Sequence, residues 1–142
     1  MDRDSLRIER FVENLTHSEG DSAGTPFRLR PWQREILHGI YGPLHSDGRR
    51  VVRTAFITMP RKQGKTQLAA ALALYHLIAD GERGAQVYSA AADRNQAALV
   101  FNAAAAMVRN DPELESALNI VDSQKRIVHY GSGSFYQAIS SD

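Results

Sequence analysis

Gly64, Lys65 and Thr66 stand together at the head of a segment rich in Ala and Leu, and Arg61, Lys62 and Gln63 lead into them. These residue types in this order suit one task, the holding of a polyphosphate. A glycine lets the backbone come close to phosphate oxygens. The free N–H groups at a helix start point at the anion, and the helix dipole favours it. A lysine placed as Lys65 is reaches β- and γ-phosphates, and a hydroxyl placed as that of Thr66 ligates Mg2+. The usual spacing is G-x-x-x-x-G-K-[ST]. Met59 stands at the place of the first glycine, so the loop cannot turn there in the usual way, and Pro60 and two cations fill the gap. A chance Gly-Lys-Thr at a helix start is the plain alternative, and the flanking elements weigh against it.

Those elements must deliver the loop. Val51 to Phe56 is β-branched and aromatic and reads as a buried strand. Leu68 to Ala79 reads as a helix, with Leu68, Leu72, Tyr75 and Ile78 on one face. Asp80-Gly81 to Gly84 ends it. Ala85 to Ala91 reads as a second strand, and Asp93 is placed to cap a helix from Arg94 to about Arg109. Ala97, Phe101, Ala104, Ala105 and Val108 form the apolar stripe of that helix. Strand, helix, strand, helix predicts an α/β fold with a parallel sheet and crossover helices, and ligands then sit at the carboxyl ends of the strands.

Upstream, Ser5 to Leu15 suggests an amphipathic helix with Ile8, Phe11, Val12 and Leu15 on one face, capped by Asp4 or Ser5. Thr16 to Pro26 is loop, with His17 a solvated residue in it. Pro31 opens another helix, with Trp32, Ile36, Leu37 and Ile40 on its apolar side. Gln33 is open to two readings. A carboxamide can donate to and accept from an adenine edge at once, whereas composition alone favours a surface glutamine on an amphipathic helix. Downstream, Asp111-Pro112 breaks the second long helix and Glu113 to Leu118 forms one more turn. Three short strands follow, at Ile120-Val121, Arg126 to Tyr130 and Ser134 to Ile139, joined by turns. His76 and His129 read as ordinary structural histidines. No internal repeat or low-complexity linker occurs.

The chain of 142 residues is long enough for a domain with a real core, and 43% hydrophobic with 23% charged residues is ordinary for a globular protein. A net charge of +1 gives no global pull toward nucleic acid; that would need a local patch among Arg28, Arg30, Arg34, Arg49, Arg50 and Arg53. Lysine is scarce, and two of the three, Lys62 and Lys65, lie in the loop. There is no cysteine, which excludes disulfides and thiolate metal sites. Neither a membrane-length apolar run nor a signal-peptide core is visible, so the expected location is the cytoplasm.

Arg61-Lys62-Gln63-Gly64-Lys65-Thr66, preceded by Leu29-Arg30-Pro31-Trp32-Gln33, closely resembles the large terminase subunit of tailed bacteriophages. The run from Val87 to Ala97 and that from Gly131 to Ser141 are similar to the same family, so the likeness extends from about Phe11 to the end. The resemblance implies the ATP-binding part of a DNA-packaging motor, with a P-loop NTPase-type parallel sheet followed by a short antiparallel segment. In that family an N-terminal ATPase is paired with a C-terminal nuclease. By resemblance, Lys65 and Thr66 take the phosphate and Mg2+ positions, and Arg61 acts like an arginine finger within the chain, so that Arg61 and Lys65 are the catalytic pair. A guanidinium can neutralise charge that develops on a γ-phosphate. Gln33 matches the adenine-contacting glutamine, and Lys62, Gln63 and Gly64 complete the nucleotide loop. Met59 in place of glycine is normal for this family. The implied cofactors are ATP and Mg2+. The implied partners are double-stranded DNA, the small terminase subunit and the portal protein, in a motor that is oligomeric as a whole.

Such an ATPase also needs an acidic pair at the end of an apolar strand, one carboxylate for Mg2+ and a Glu to orient water. No apolar strand followed by Asp-Glu occurs here; Asp122 follows a short run and Ser123 stands where Glu would be. The expected organisation is an N-terminal helix and loop over 1–26 and a partial ATPase domain over 27–142, the first part of a truncated or split gene product, able to bind ATP but with negligible turnover. The competing readings are a helicase-like nucleic-acid-dependent ATPase and a non-catalytic nucleotide- or DNA-binding relic.

Overall fold

A computed structural model describes residues 3–16, 24–58 and 64–141 of the chain. Helix α1 (Arg3–Glu13) leads through a bridge between Thr16 and Pro26 to α2 (Pro31–Tyr41). Helix α3 (Lys65–Leu74) continues into a π-helical turn at Tyr75–Ala79. Strand β1 (Gln86–Ala91), α4 (Arg94–Arg109) and a short α5 (Pro112–Ala117) follow. Three strands, β2 (Asn119–Val121), β3 (Arg126–His129) and β4 (Ser134–Ser140), complete the chain. Among the described residues no helix is long and apolar enough to cross a membrane.

The fold is mixed α/β around one four-stranded sheet of order β1-β4-β3-β2. β1 and β4 are parallel, from Gln86 against Phe135 to Ala91 against Ser140, and the chain between them runs through α4, α5, β2 and β3. β3 runs antiparallel to both β2 and β4. Only one strand pair is therefore parallel, because β2, β3 and β4 are joined by tight turns that can only reverse the chain. Alternation along β4 turns Ser134, Tyr136 and Ala138 into the core. There they meet α4, whose stripe of Ala97, Phe101, Ala104, Ala105 and Val108 is buried as the period requires. Asp93 caps α4 by accepting from the Gln96 N–H at 2.9 Å.

The segment Val51 to Phe56 is not a strand. Residues 51–58 pair with no strand among the described residues, and Phe56 is 93% exposed. The β-branched composition favours a strand, but a strand needs a partner ladder, and the anchors here are the Leu44–Arg50 bridge and the Val51 N–H on the Pro43 carbonyl.

Burial differs in three further places. Helix α3 is buried on most sides rather than on one face, because Gln67, Ala70, Ala71, Ala73 and Leu74 are enclosed along with Leu68. Glu9 lies on the buried side of α1, where its carboxylate meets His38 Nε2 at 2.7 Å. Helix α1 begins at Arg3, so Asp4 and Ser5 sit inside it instead of capping it.

Candidate functional site: the turn at the head of α3

Gly64 is the last residue before α3, with φ +81° and ψ 19°. That left-handed conformation costs an L-residue with a Cβ about 1–2 kcal/mol and costs glycine nothing. The turn sends the chain into α3 with Lys65 and Thr66 as its first residues, Lys65 exposed and Thr66 half-buried. Among the described residues no side chain caps the helix, and no acidic residue stands in its first turn. The positive end of its dipole lies beside a lysine and a hydroxyl, an arrangement that suits an anion. Arg61, Lys62 and Gln63 lie outside the described residues.

The second component comes from α2. Pro31 occupies its first position, and Arg30 ahead of it is extended. Gln33 is buried, not on the surface as composition favours, and its carboxamide lies near the head of α3. Its Oε1 accepts the Arg30 N–H at 2.8 Å, and its Nε2 lies 3.7 Å from where a Cβ would stand on Gly64. The structure therefore brings Gln33, Gly64, Lys65 and Thr66 to one corner. A salt-linked brace supports this corner from α1: Glu13 Oε2 accepts the Leu29 N–H at 3.1 Å and Arg34 Nη2 at 2.7 Å.

A second polar cluster, at the far end of α3, was not singled out by sequence reasoning. Arg50 grips Asp80 with both guanidinium nitrogens, at 2.9 and 2.7 Å. His76 Nδ1 meets the same carboxylate at 3.2 Å, and His76 Nε2 meets the Tyr41 hydroxyl at 2.7 Å. Burial pushes the Tyr41 hydroxyl up to about 12, against the lowering influence of Arg50. Burial alone would raise the Asp80 carboxyl, but hydrogen bonds from His76 and Arg50 outweigh it and hold it well below the usual carboxylate range. The only sequence signal was the four-residue spacing of His76 and Asp80 on a helix. The cluster borders an open cleft of about 950 Å³. Among the described residues no group of three or more His, Asp or Glu could hold a metal ion.

The described elements make a mixed α/β domain whose helix α3 is entered through a left-handed glycine and begins with a lysine and a threonine. Comparison with known proteins makes this specific. Residues 31–142 match the family described as terminase large subunit, ATPase domain, and the chain belongs to it. It is 33% identical over 139 residues to the large terminase subunit of Enterobacteria phage HK97, a match that covers 96% of this chain and 26% of that protein. The crystal structure of the HK97 bacteriophage large terminase superposes with a TM-score of 0.85 at 31% identity, over all of this chain and 28% of that one. The chain thus spans about a quarter of the relative it matches.

Proposed function

We propose that this chain is the nucleotide-holding part of a phage DNA-packaging ATPase of the P-loop type, with Mg·ATP as its ligand. The observation that carries the reading is the left-handed Gly64 at the uncapped head of α3, with Lys65 and Thr66 directly behind it and Gln33 beside it. In this reading Lys65 neutralises β- and γ-phosphate charge while the α3 N–H groups orient the phosphates. The Thr66 hydroxyl is the protein ligand for Mg2+, and the metal when bound neutralises charge that builds up between the phosphates. Gln33 presents its carboxamide to adenine, with Oε1 also held by the Arg30 N–H. Lys62 and Gln63 complete the loop, and Arg61 stabilises transition-state charge on the γ-phosphate.

The chain divides in this reading into an N-terminal helix and loop, 1–26, and a partial ATPase domain, 27–142. The working motor is oligomeric, operates in the bacterial cytoplasm, and engages double-stranded DNA, a small terminase subunit and a portal. The water-orienting acidic pair has no counterpart in residues 1–142, which favours nucleotide binding without turnover for this chain alone.

Titration calorimetry with Mg·ATP, on the wild type and on Lys65→Ala, tests the assignment. Binding that Lys65→Ala weakens by about tenfold or more supports it, the size expected for loss of a charged hydrogen bond. Equal affinity in both proteins overturns it. Steady-state ATP turnover by this chain at the rate of a whole terminase would refute the non-catalytic part.

A further inference from the structure

Helices α2 and α3 meet at two corners. At the first, Gln33 Nε2 lies 3.7 Å from where a Cβ would stand on Gly64; at the second, about 18 Å further on, in the π-helical turn that continues α3, Tyr41 is bonded to His76. The second corner also holds the segment that leads into the phosphate turn. That segment pairs with no strand among the described residues, so the Arg50 guanidinium, bidentate on Asp80 and 5.3 Å from the centre of the Tyr41 ring, is a principal side-chain anchor ahead of it. Arg50 precedes the turn by fourteen positions and Asp80 follows Gly64 by sixteen, so one ion pair ties the two flanks of the turn together at their far ends.

The proton count closes. In the tautomer with hydrogen on Nδ1, that nitrogen donates to Asp80 and Nε2 accepts the Tyr41 O–H. Each hydrogen is used once, and the carboxylate receives three donors. Such a network is rigid when complete, and loss of one member leaves the largely buried Asp80 carboxylate short of a partner. It is mounted on a π-helical turn, closed by the Asp80 N–H on the Tyr75 carbonyl at 3.0 Å, and such turns recur at functional sites.

We propose that His76 and Asp80 are positioning residues for the nucleotide site: through Arg50 and Tyr41 they set the spacing of α2, α3 and the segment ahead of the phosphate turn. The inference rests on the nucleotide reading of that turn. It is tested with Asp80→Asn, Tyr41→Phe and Arg50→Lys, each followed by Mg·ATP affinity well below the unfolding midpoint, by thermal melting, and by hydrogen exchange at the Leu68 amide, which is bonded to the Gly64 carbonyl. Ile127→Val, in the buried part of β3, serves as the control that lowers stability elsewhere. The expected result is an affinity about three- to tenfold weaker in the three variants, with faster Leu68 exchange, and an unchanged affinity in the control despite its lower melting point. Full affinity in all three variants, with only the melting point reduced, would reduce the cluster to a structural role and overturn the inference while leaving the nucleotide reading intact. If the wild type binds no nucleotide, that reading fails by itself, and the exchange measurement still decides: unchanged Leu68 exchange in Asp80→Asn refutes the positioning role.

Discussion

Gln33 Nε2 and the missing Cβ of Gly64 are separated by 3.7 Å, an ordinary van der Waals distance. A methyl group at Gly64 would therefore fit beside Gln33, and what forbids it is the backbone. The α2 side chain and the α3 turn are close enough for one to read the position of the other, yet the turn owes its shape to φ +81° rather than to lack of space.

Gly64→Ala should accordingly cost about 1 kcal/mol or somewhat more in urea unfolding, from left-handed strain alone. Gly64→Asn should cost less, because asparagine tolerates that region better. Equal losses for the two variants would show that the space beside Gln33, not the dihedral angle, limits the site.

The Tyr41 hydroxyl predicts an alkaline limb to the stability curve. Its pKa is raised in the folded protein, to about 12, so folding favours the neutral form. The stability this confers is complete below the unfolded-state value near 10, and is lost as pH rises from there through 12. The loss amounts to roughly 2 kcal/mol at the top of that window. Asp80 works in the opposite direction. Its folded pKa is depressed, so its contribution is present above about 4 and disappears as pH falls below that value. Denaturant titrations across pH check both: Tyr41→Phe should shrink the alkaline limb to the share of Tyr136, whose hydroxyl burial also raises, and Asp80→Asn should flatten the acid limb.

Local chemistry made α4 legible from the sequence. An aspartate before a run with apolar residues at helical spacing specifies both the start and the buried face, and both are found. The strands β2, β3 and β4 were legible for the same reason, since short turns pair neighbours in sequence. The turn at Gly64 and the helix behind it were legible because a glycine precedes a run of strong helix formers. Interactions at a distance were not. The burial of Gln33 depends on how α2 lies against α3, and Arg50 and Asp80 are thirty residues apart. Residues 51–58 carry strand composition, but pairing belongs to whatever ladder is available, and composition does not supply one.

Asp93→Ala isolates one of the legible elements. The side chain accepts a single backbone N–H, that of Gln96, at an exposed position. Its loss should lower unfolding free energy by about 1 kcal/mol, with Asp93→Asn close to wild type. A loss much larger than this would mean that Asp93 also holds the β1–α4 turn.

Phe56 is the most exposed large apolar side chain among the described residues, and Val51, Ile57, Tyr88 and Ile139 are other exposed ones. Tyr88 belongs to β1, which pairs with β4 on one side and with no described strand on the other. An exposed apolar segment and an open strand edge together make a template for association between copies. Phe56→Asp puts a charge on the segment, and Tyr88→Lys puts one on the edge strand. Phe56 is almost fully exposed, so its variant should unfold within about 0.5 kcal/mol of the wild type, whereas Tyr88 stacks edge-on against Phe135 at 5.6 Å and its variant should lose about 1 kcal/mol. Light scattering during concentration should show aggregation beginning later in each variant, and later still in the double variant if the segment and the edge pair with one another. Aggregation that begins at the wild-type concentration in all three variants would place the sticky surface elsewhere, on the outward face of β4 around Ile139.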